Sequence, residues 1–115
     1  AVGQIAIRDH NVLLNIYRGV GNVELNLGAG TMNQYQRMGK GNYALAGHNM
    51  DDGRSFFSPL YTAKVRGNLP NGTTILLTDY KKVYYYKITS SRFISVYNLR
   101  LTSDIIVYLW LDRSR

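Results

Sequence analysis

Residues 83–89 read VYYYKIT, and this short run is the clearest structural signal in the chain. Tyr84, Tyr86 and Ile88 fall on one side of an extended strand, and the residues between them fall on the other. Aromatic and β-branched residues also favour a strand over a helix. The run therefore predicts a strand that covers one side of a hydrophobic core, as in antiparallel β proteins.

Similar runs lie on both sides of this stretch. Short strands are predicted at residues 2–7, 12–16, 42–47, 73–78 and 93–96. Turn signals such as Pro70-Asn71-Gly72 separate them. Helix is expected only within residues 18–30 and after a Ser55 cap, where Pro59 limits it to a turn or two. This pattern predicts a mainly β fold, an antiparallel barrel or sandwich, with one or two short helices.

The chain has 115 residues, which is the size of one domain, and it contains no cysteine. That absence excludes disulfides, cysteine-ligated metals and thiol catalysis by these residues. His10 and His48 are the only histidines, so a multi-histidine metal site is excluded as well. We expect neither a metal nor a cofactor. Acidic residues such as Asp52 lack the spacing of an EF-hand calcium loop.

The net charge of +7 favours anionic partners, although a solvated basic surface accounts for it equally simply. Tyr84, Tyr85 and Tyr86 lie beside Lys81 and Lys82, which is one pattern of a stacking platform for single-stranded nucleic acid. Aromatic residues also fill the cores of small barrels. The longest apolar run, residues 105–111, has the length of a strand and is too short to cross a bilayer. We expect any membrane anchor to lie outside these residues.

His48 is the candidate catalytic residue. It follows a strand of small residues that includes Ala46 and Gly47, which would let a substrate approach closely. Histidine transfers protons at neutral pH because its unperturbed pKa lies near 6.5. We predict His48 as a proton donor and acceptor, with Ala46 and Gly47 in contact with substrate. A lone histidine is more often structural, so that alternative stays open.

Three stretches together resemble one family. They are GAGTM at residues 28–32, MGKGNYALAGH at residues 38–48 and FSPLY at residues 57–61. These closely resemble the class A, or housekeeping, sortases of Gram-positive bacteria, and the resemblance runs from Ala1 to about Asp104. It implies a closed antiparallel barrel of eight strands outside the cytoplasmic membrane. His48 matches the family histidine.

The resemblance also implies an activity. Sortases recognise a Leu-Pro-x-Thr-Gly sorting signal, attack its threonine carbonyl with a cysteine thiolate, and pass the acyl group to an amine of the cell-wall precursor. Histidine handles the proton, and a later arginine steadies the substrate and the oxyanion. The expected partners are therefore sorting-signal peptides and cell-wall precursor, and no nucleic acid. The expected location is the outer face of the cytoplasmic membrane or the cell wall.

The sequence departs from the family after Asp104. The strand that carries the family cysteine is absent, and neither Arg113 nor Arg115 follows the family's arginine motif. We divide the chain into a sortase-like domain at residues 1–104 and a divergent tail or replacement strand at residues 105–115. A truncation or a change of reading frame would explain this division. A strand at residues 105–111 that closes a shorter barrel is the alternative.

Two expectations follow from these departures. A barrel that is incomplete at its C-terminus exposes strand edges, which favours a homodimer or low stability. A chain without the nucleophile is also inactive as a transpeptidase. Two other functions stay open: a non-catalytic module that binds sorting signals or wall polymer, and a basic β-barrel that binds nucleic acid.

Overall fold

A computed structural model describes residues 1–50, 52–97 and 103–114 as a β-barrel with two short helices. In chain order the elements are β1 (Gly3–Ile7), β2 (Val12–Arg18), α1 (Asn22–Leu27), β3 (Ala29–Thr31), β4 (Asn42–Asn49), α2 (Ser58–Val65), β5 (Thr74–Thr78), β6 (Val83–Tyr97) and β7 (Ser103–Arg113). A 3-10 turn at Arg8–His10 joins β1 to β2. The mainly β fold predicted from the sequence is confirmed.

The described strands form a closed barrel in the order β1-β2-β3-β4-β7-β6-β5, with β5 paired to β1. Among the strands of the described residues, only β2 and β3 pair in parallel. The described residues form seven strands, where the resemblance implied a closed barrel of eight. The separate expectation of open strand edges is wrong, because β7 bonds to β4 on one side and to β6 on the other. The closing strand foreseen at residues 105–111 is present. Its closure removes the open edges on which the expected homodimer rested.

The interior is filled by every second residue of the strands. Val107, Leu109 and Leu111 of β7 are fully buried, and so is Leu45 of β4, the register partner of Leu109. This alternation allows β7 to complete the barrel, since it places a branched residue at each of these inward positions. The fully buried Phe57 and Leu60 join the same core near the start of α2.

Two boundaries differ from the sequence prediction. Residues 83–89 and 93–96 belong to one strand, β6, with an irregularity between Ile88 and Ser90. The second helix begins at Ser58 and not beside Ser55, and Pro59 occupies its first turn, where a missing N–H costs nothing. Phe56 precedes it with a φ of 55°, a conformation that a helix does not contain.

The three adjacent tyrosines of β6 do not form a stacking platform. Tyr86 is fully buried, so a ligand cannot stack on its ring. Tyr85 is 58% exposed on the other side of the strand. The strand alternation predicted from VYYYKIT is therefore confirmed, and the nucleic-acid platform built on the same run is wrong. Among the described residues, no helix has the length and hydropathy needed to span a membrane.

Candidate functional site

His48 lies at the second-to-last position of β4 and is partly exposed. Its register partner on β7 is Ile106, which in turn pairs with Ile94 of β6. Gly47 pairs with the buried Val107, so the strand alternation turns His48 to the outer surface of the barrel. The imidazole therefore lies on a sheet surface and not in the core.

The segment after β4 holds the histidine backbone in place. The N–H of Phe57 donates a hydrogen bond of 2.9 Å to the carbonyl oxygen of His48. The ring of Phe56 meets the imidazole edge to face, with centroids 6.0 Å apart and planes at 76°. The Ser58 hydroxyl accepts a hydrogen bond from the N–H of Met50. Phe57 and Ser58 thus tie the start of α2 to the end of β4.

Gly47 is required by close packing. A Cβ atom at this position would lie 2.5 Å from Cδ2 of Phe57, which is fully buried. Carbon atoms make favourable contact only near 3.5–4.0 Å. The sequence predicted that the small Gly47 leaves room for a substrate. The space beside Gly47 is instead filled by the ring of Phe57. Ala46, the other predicted substrate contact, is also buried and pairs with Gly30 and Tyr108.

The outward residues of β4, β7 and β6 around the histidine form a continuous surface, here called the His48 face. By register and alternation it contains His48, Ile106, Tyr108, Trp110, Arg92 and Ile94. A cleft of about 460 Å³ opens on it between Arg92 and Trp110. The rings of Tyr108 and Trp110 lie 6.2 Å apart. The face combines an imidazole, apolar rings and one exposed guanidinium.

The chain offers no thiol to this face, since it contains no cysteine. The two hydroxyls of the adjoining turn are engaged: Ser58 accepts from Met50, and Ser55 donates to the Asp52 carboxylate. The Ser55 hydroxyl and the N–H groups of Ser55 and Arg54 lower the pKa of Asp52 to about 2. No group of three potential metal ligands occurs in the part of the chain that the structure describes.

The C-terminal arginine that the structure describes lies away from His48. Arg113 is beyond the pair Asn42–Asp112, at the opposite end of β4, so about 20 Å of strand separates it from His48. It donates a hydrogen bond of 2.7 Å to the carbonyl oxygen of Gly39. Arg115 lies outside the described residues. Arg113 is therefore too far from His48 to act on the same bound group.

Sequence reasoning missed Arg92, Tyr108 and Trp110 as neighbours of the candidate histidine. Their place on the His48 face depends on the pairing of β7 with both β4 and β6, which brings Arg92 beside residues that are distant from it in the chain. The apolar run at residues 105–111 predicted a strand that includes Tyr108 and Trp110. It gave no sign of which strand would lie beside them.

Comparison with known proteins gives the family. A family model described as "Sortase domain" matches residues 5–108. This chain belongs to the sortase family. It is 45% identical over 93 residues to Sortase A of Streptococcus agalactiae serotype III (strain NEM316), a match that covers 76% of this chain and 35% of that protein. It is 40% identical over 91 residues to Sortase A of Listeria monocytogenes, covering 79% and 38%.

Solved sortase structures share the fold. The crystal structure of Listeria monocytogenes sortase A superposes with a TM-score of 0.74 at 27% identity, covering 99% of this chain and 87% of that one. Sortase E from Streptomyces avermitilis gives 0.63 at 20% identity and supports the fold alone. The chain spans just over a third of the length of the two Sortase A relatives. The resemblance found in the sequence is therefore confirmed as family membership.

Proposed function

We propose that this sortase-family chain binds sorting-signal peptides of the Leu-Pro-x-Thr-Gly type on the His48 face and does not form an acyl-enzyme with them. The observation that carries the proposal is the placement of His48 at the end of β4, half-exposed and beside the apolar Ile106. An imidazole at that position can donate a proton to a bound peptide or accept one from it. In the family, that peptide is the sorting signal.

The His48 face suits the peptide by chemistry. Ile106, Ile94 and the ring of Tyr108 offer apolar surface to a leucine and a proline, and Ile94 is 50% exposed. The 460 Å³ cleft beside Trp110 has room for further residues of the peptide. Arg92 adds a cation that can bind a peptide carbonyl or carboxylate. Ala46 and Gly47 are buried with their backbones inside the sheet, so the predicted contact of the peptide with these two residues is not part of the proposal.

The absence of a thiol supports the second half of the proposal. Transpeptidation by way of an acyl-enzyme needs a nucleophile, and the 115 residues contain no cysteine. Binding without acyl transfer would make this chain a module that captures sorting signals. We place that activity on the outer face of the cytoplasmic membrane or in the cell wall, and propose cell-wall precursor as the family's second partner.

Peptide titration followed by NMR tests the binding. We expect a Leu-Pro-x-Thr-Gly peptide to shift the amide signals of Gly47, His48, Ile106 and Tyr108, and a scrambled peptide to leave them unchanged. The variant His48→Ala should weaken binding, whereas His10→Ala removes the other histidine and serves as the matched control. The absence of peptide-specific shifts on the His48 face would show that the binding proposal is wrong.

Intact-protein mass spectrometry tests the inactivity separately. After incubation with the same peptide, we expect the mass of the chain to be unchanged. A covalent adduct would overturn the claim that these residues form no acyl-enzyme. The two experiments test separate claims, because a peptide can bind without reacting.

A further inference from the structure

A second cleft lies at the end of the barrel opposite His48. It has a volume of about 510 Å³, within the range of small-molecule sites. Tyr43 of β4 lines it, five residues before His48, which places it about 17 Å away along the strand. Its lining residues are Val2, Arg18, Thr31, Asn33, Gln34, Tyr35, Gln36, Arg37, Met38, Tyr43 and Asp79. We name it the Arg18–Arg37 cleft.

The charges of this cleft favour an anion. Arg18 and Arg37 are cationic, and Asp79 is the one acidic residue in the lining. The Asp79 carboxylate already accepts hydrogen bonds of 3.0 Å from the N–H groups of Lys81 and Lys82, and one from the Tyr84 hydroxyl. Both oxygens of the Asp79 carboxylate therefore already have hydrogen-bond donors within the chain. The two guanidiniums are the groups left to meet a ligand.

One wall of the cleft is fixed by hydrogen bonds from side chains. The Gln36 amide donates to the carbonyl oxygen of Ala44 at 2.9 Å and accepts from the N–H groups of Ala44 and Asn33. Further along the same loop, the N–H of Gly39 donates to the Tyr86 hydroxyl at 2.7 Å. The loop that carries Arg37 is therefore held at both ends, by β4 and by β6.

The other wall is the end of β2. Arg18 pairs in register with Thr31 of β3, and the Thr31 hydroxyl accepts a hydrogen bond of 3.0 Å from the N–H of Gly19. The Arg18 cation also acts on the buried Tyr43 hydroxyl: burial raises the pKa of Tyr43, while Gln36 and Arg18 oppose that rise. Arg18 therefore lies close to the floor of the cleft. A cleft with fixed walls binds with a smaller loss of conformational entropy.

We propose that the Arg18–Arg37 cleft binds the oxyanion group of a small ligand, a phosphate or a carboxylate. Guanidinium groups recognise both anions with paired, charge-assisted hydrogen bonds. The amides of Asn33 and Gln34 and the ring of Tyr35, which is 86% exposed, offer contacts to a polar body attached to that group. The volume holds an anion together with a body of about the size of a sugar. This site is separate from the His48 face.

Titration with glycerol 3-phosphate, glucuronate and neutral glucose, followed by NMR, tests the proposal and distinguishes the two anions. We expect one or both anions to shift the amide signals of Thr31, Gln36 and Tyr43, and glucose to shift none of them. Arg18→Gln and Arg37→Gln should each weaken binding about tenfold, since each removes one charge-assisted contact.

The control variant is Arg54→Gln, which removes the same charge from an exposed residue outside the cleft. It should leave the affinity within about twofold, because general attraction to a basic protein falls equally in all three variants. Thermal melting of each variant checks that the fold is intact. Equal weakening in Arg54→Gln, or anion-induced shifts spread over the surface without those of Thr31 and Tyr43, would overturn the proposal.

Discussion

A methyl group on Gly47 would lie 2.5 Å from the ring of Phe57, so the residue before the candidate histidine and the residue before α2 define one tight contact. Because Phe57 is fully buried, its ring cannot move aside without disturbing the core. We expect Gly47→Ala to lower the free energy of unfolding by about 1–3 kcal/mol, the usual cost of overpacking. Urea denaturation measures this directly.

A double-mutant cycle checks the cause of that loss. Phe57→Leu makes room for the added methyl group, so the double variant should be more stable than the sum of the two single losses predicts. Strictly additive losses would mean that Gly47 is required for another reason, such as its backbone conformation.

Ile106 and His48 are register partners on the outer surface of the barrel. A cysteine introduced by Ile106→Cys would lie beside the imidazole, and a thiol next to a protonated histidine has a lowered pKa. We expect its alkylation by iodoacetamide to persist at lower pH than that of Ile94→Cys, one strand further away. Adding His48→Ala should abolish the difference. Identical pH profiles with and without His48 would contradict the predicted geometry.

Tyr86 couples the stability of the barrel to alkaline pH. Burial raises its pKa above the ordinary value of 10.0, so the unfolded chain loses this proton first and stability falls as the pH rises above 10. Tyr86→Phe should reduce that fall. At neutral pH it should cost about 1–3 kcal/mol, because the N–H of Gly39 loses its acceptor. Tyr85→Phe, at an exposed position, should change neither quantity measurably.

Asp52 organises the turn that joins β4 to α2. Its pKa of about 2 lies below the ordinary value of 3.8, chiefly because of the Ser55 hydroxyl. A lowered carboxyl pKa contributes stability above pH 4, and that contribution is lost as the pH falls from about 4 to about 2. We expect Ser55→Ala to raise the pKa of Asp52 towards 3.8 in an NMR titration. An unchanged pKa would assign the effect to the backbone N–H groups alone.

The sequence predicted those parts of the fold that depend on local alternation. Tyr86 and Ile88 face inward as expected, and so do Val107 and Leu109, because a strand turns every second residue to the core. The start of α2 was misjudged, because Phe56 has a φ of 55° and Phe57 packs against Gly47 of another element, and no local motif shows either feature.

The sequence likewise predicted the part of the candidate site that a local motif encodes, and missed the part that depends on strand pairing. His48 was found from its local motif, at the end of a strand that the sequence also identified. Arg92 and Tyr108 were missed because they reach the histidine only through the pairing of β7 with both β4 and β6. Such pairing depends on residues far apart in the chain, and no short motif encodes it.

The position of β7 between β4 and β6 has a consequence for biosynthesis. β4 is complete at Asn49, yet the strand that satisfies its free side begins only at Ser103. At 5–20 residues per second, a ribosome needs roughly 3–10 seconds to make the intervening chain. Throughout that interval the inward residues of β4 lack their final neighbours. Apolar residues and a strand edge that stay exposed during synthesis favour aggregation, so we expect β4 to be the aggregation-prone part of the chain until β7 has been made.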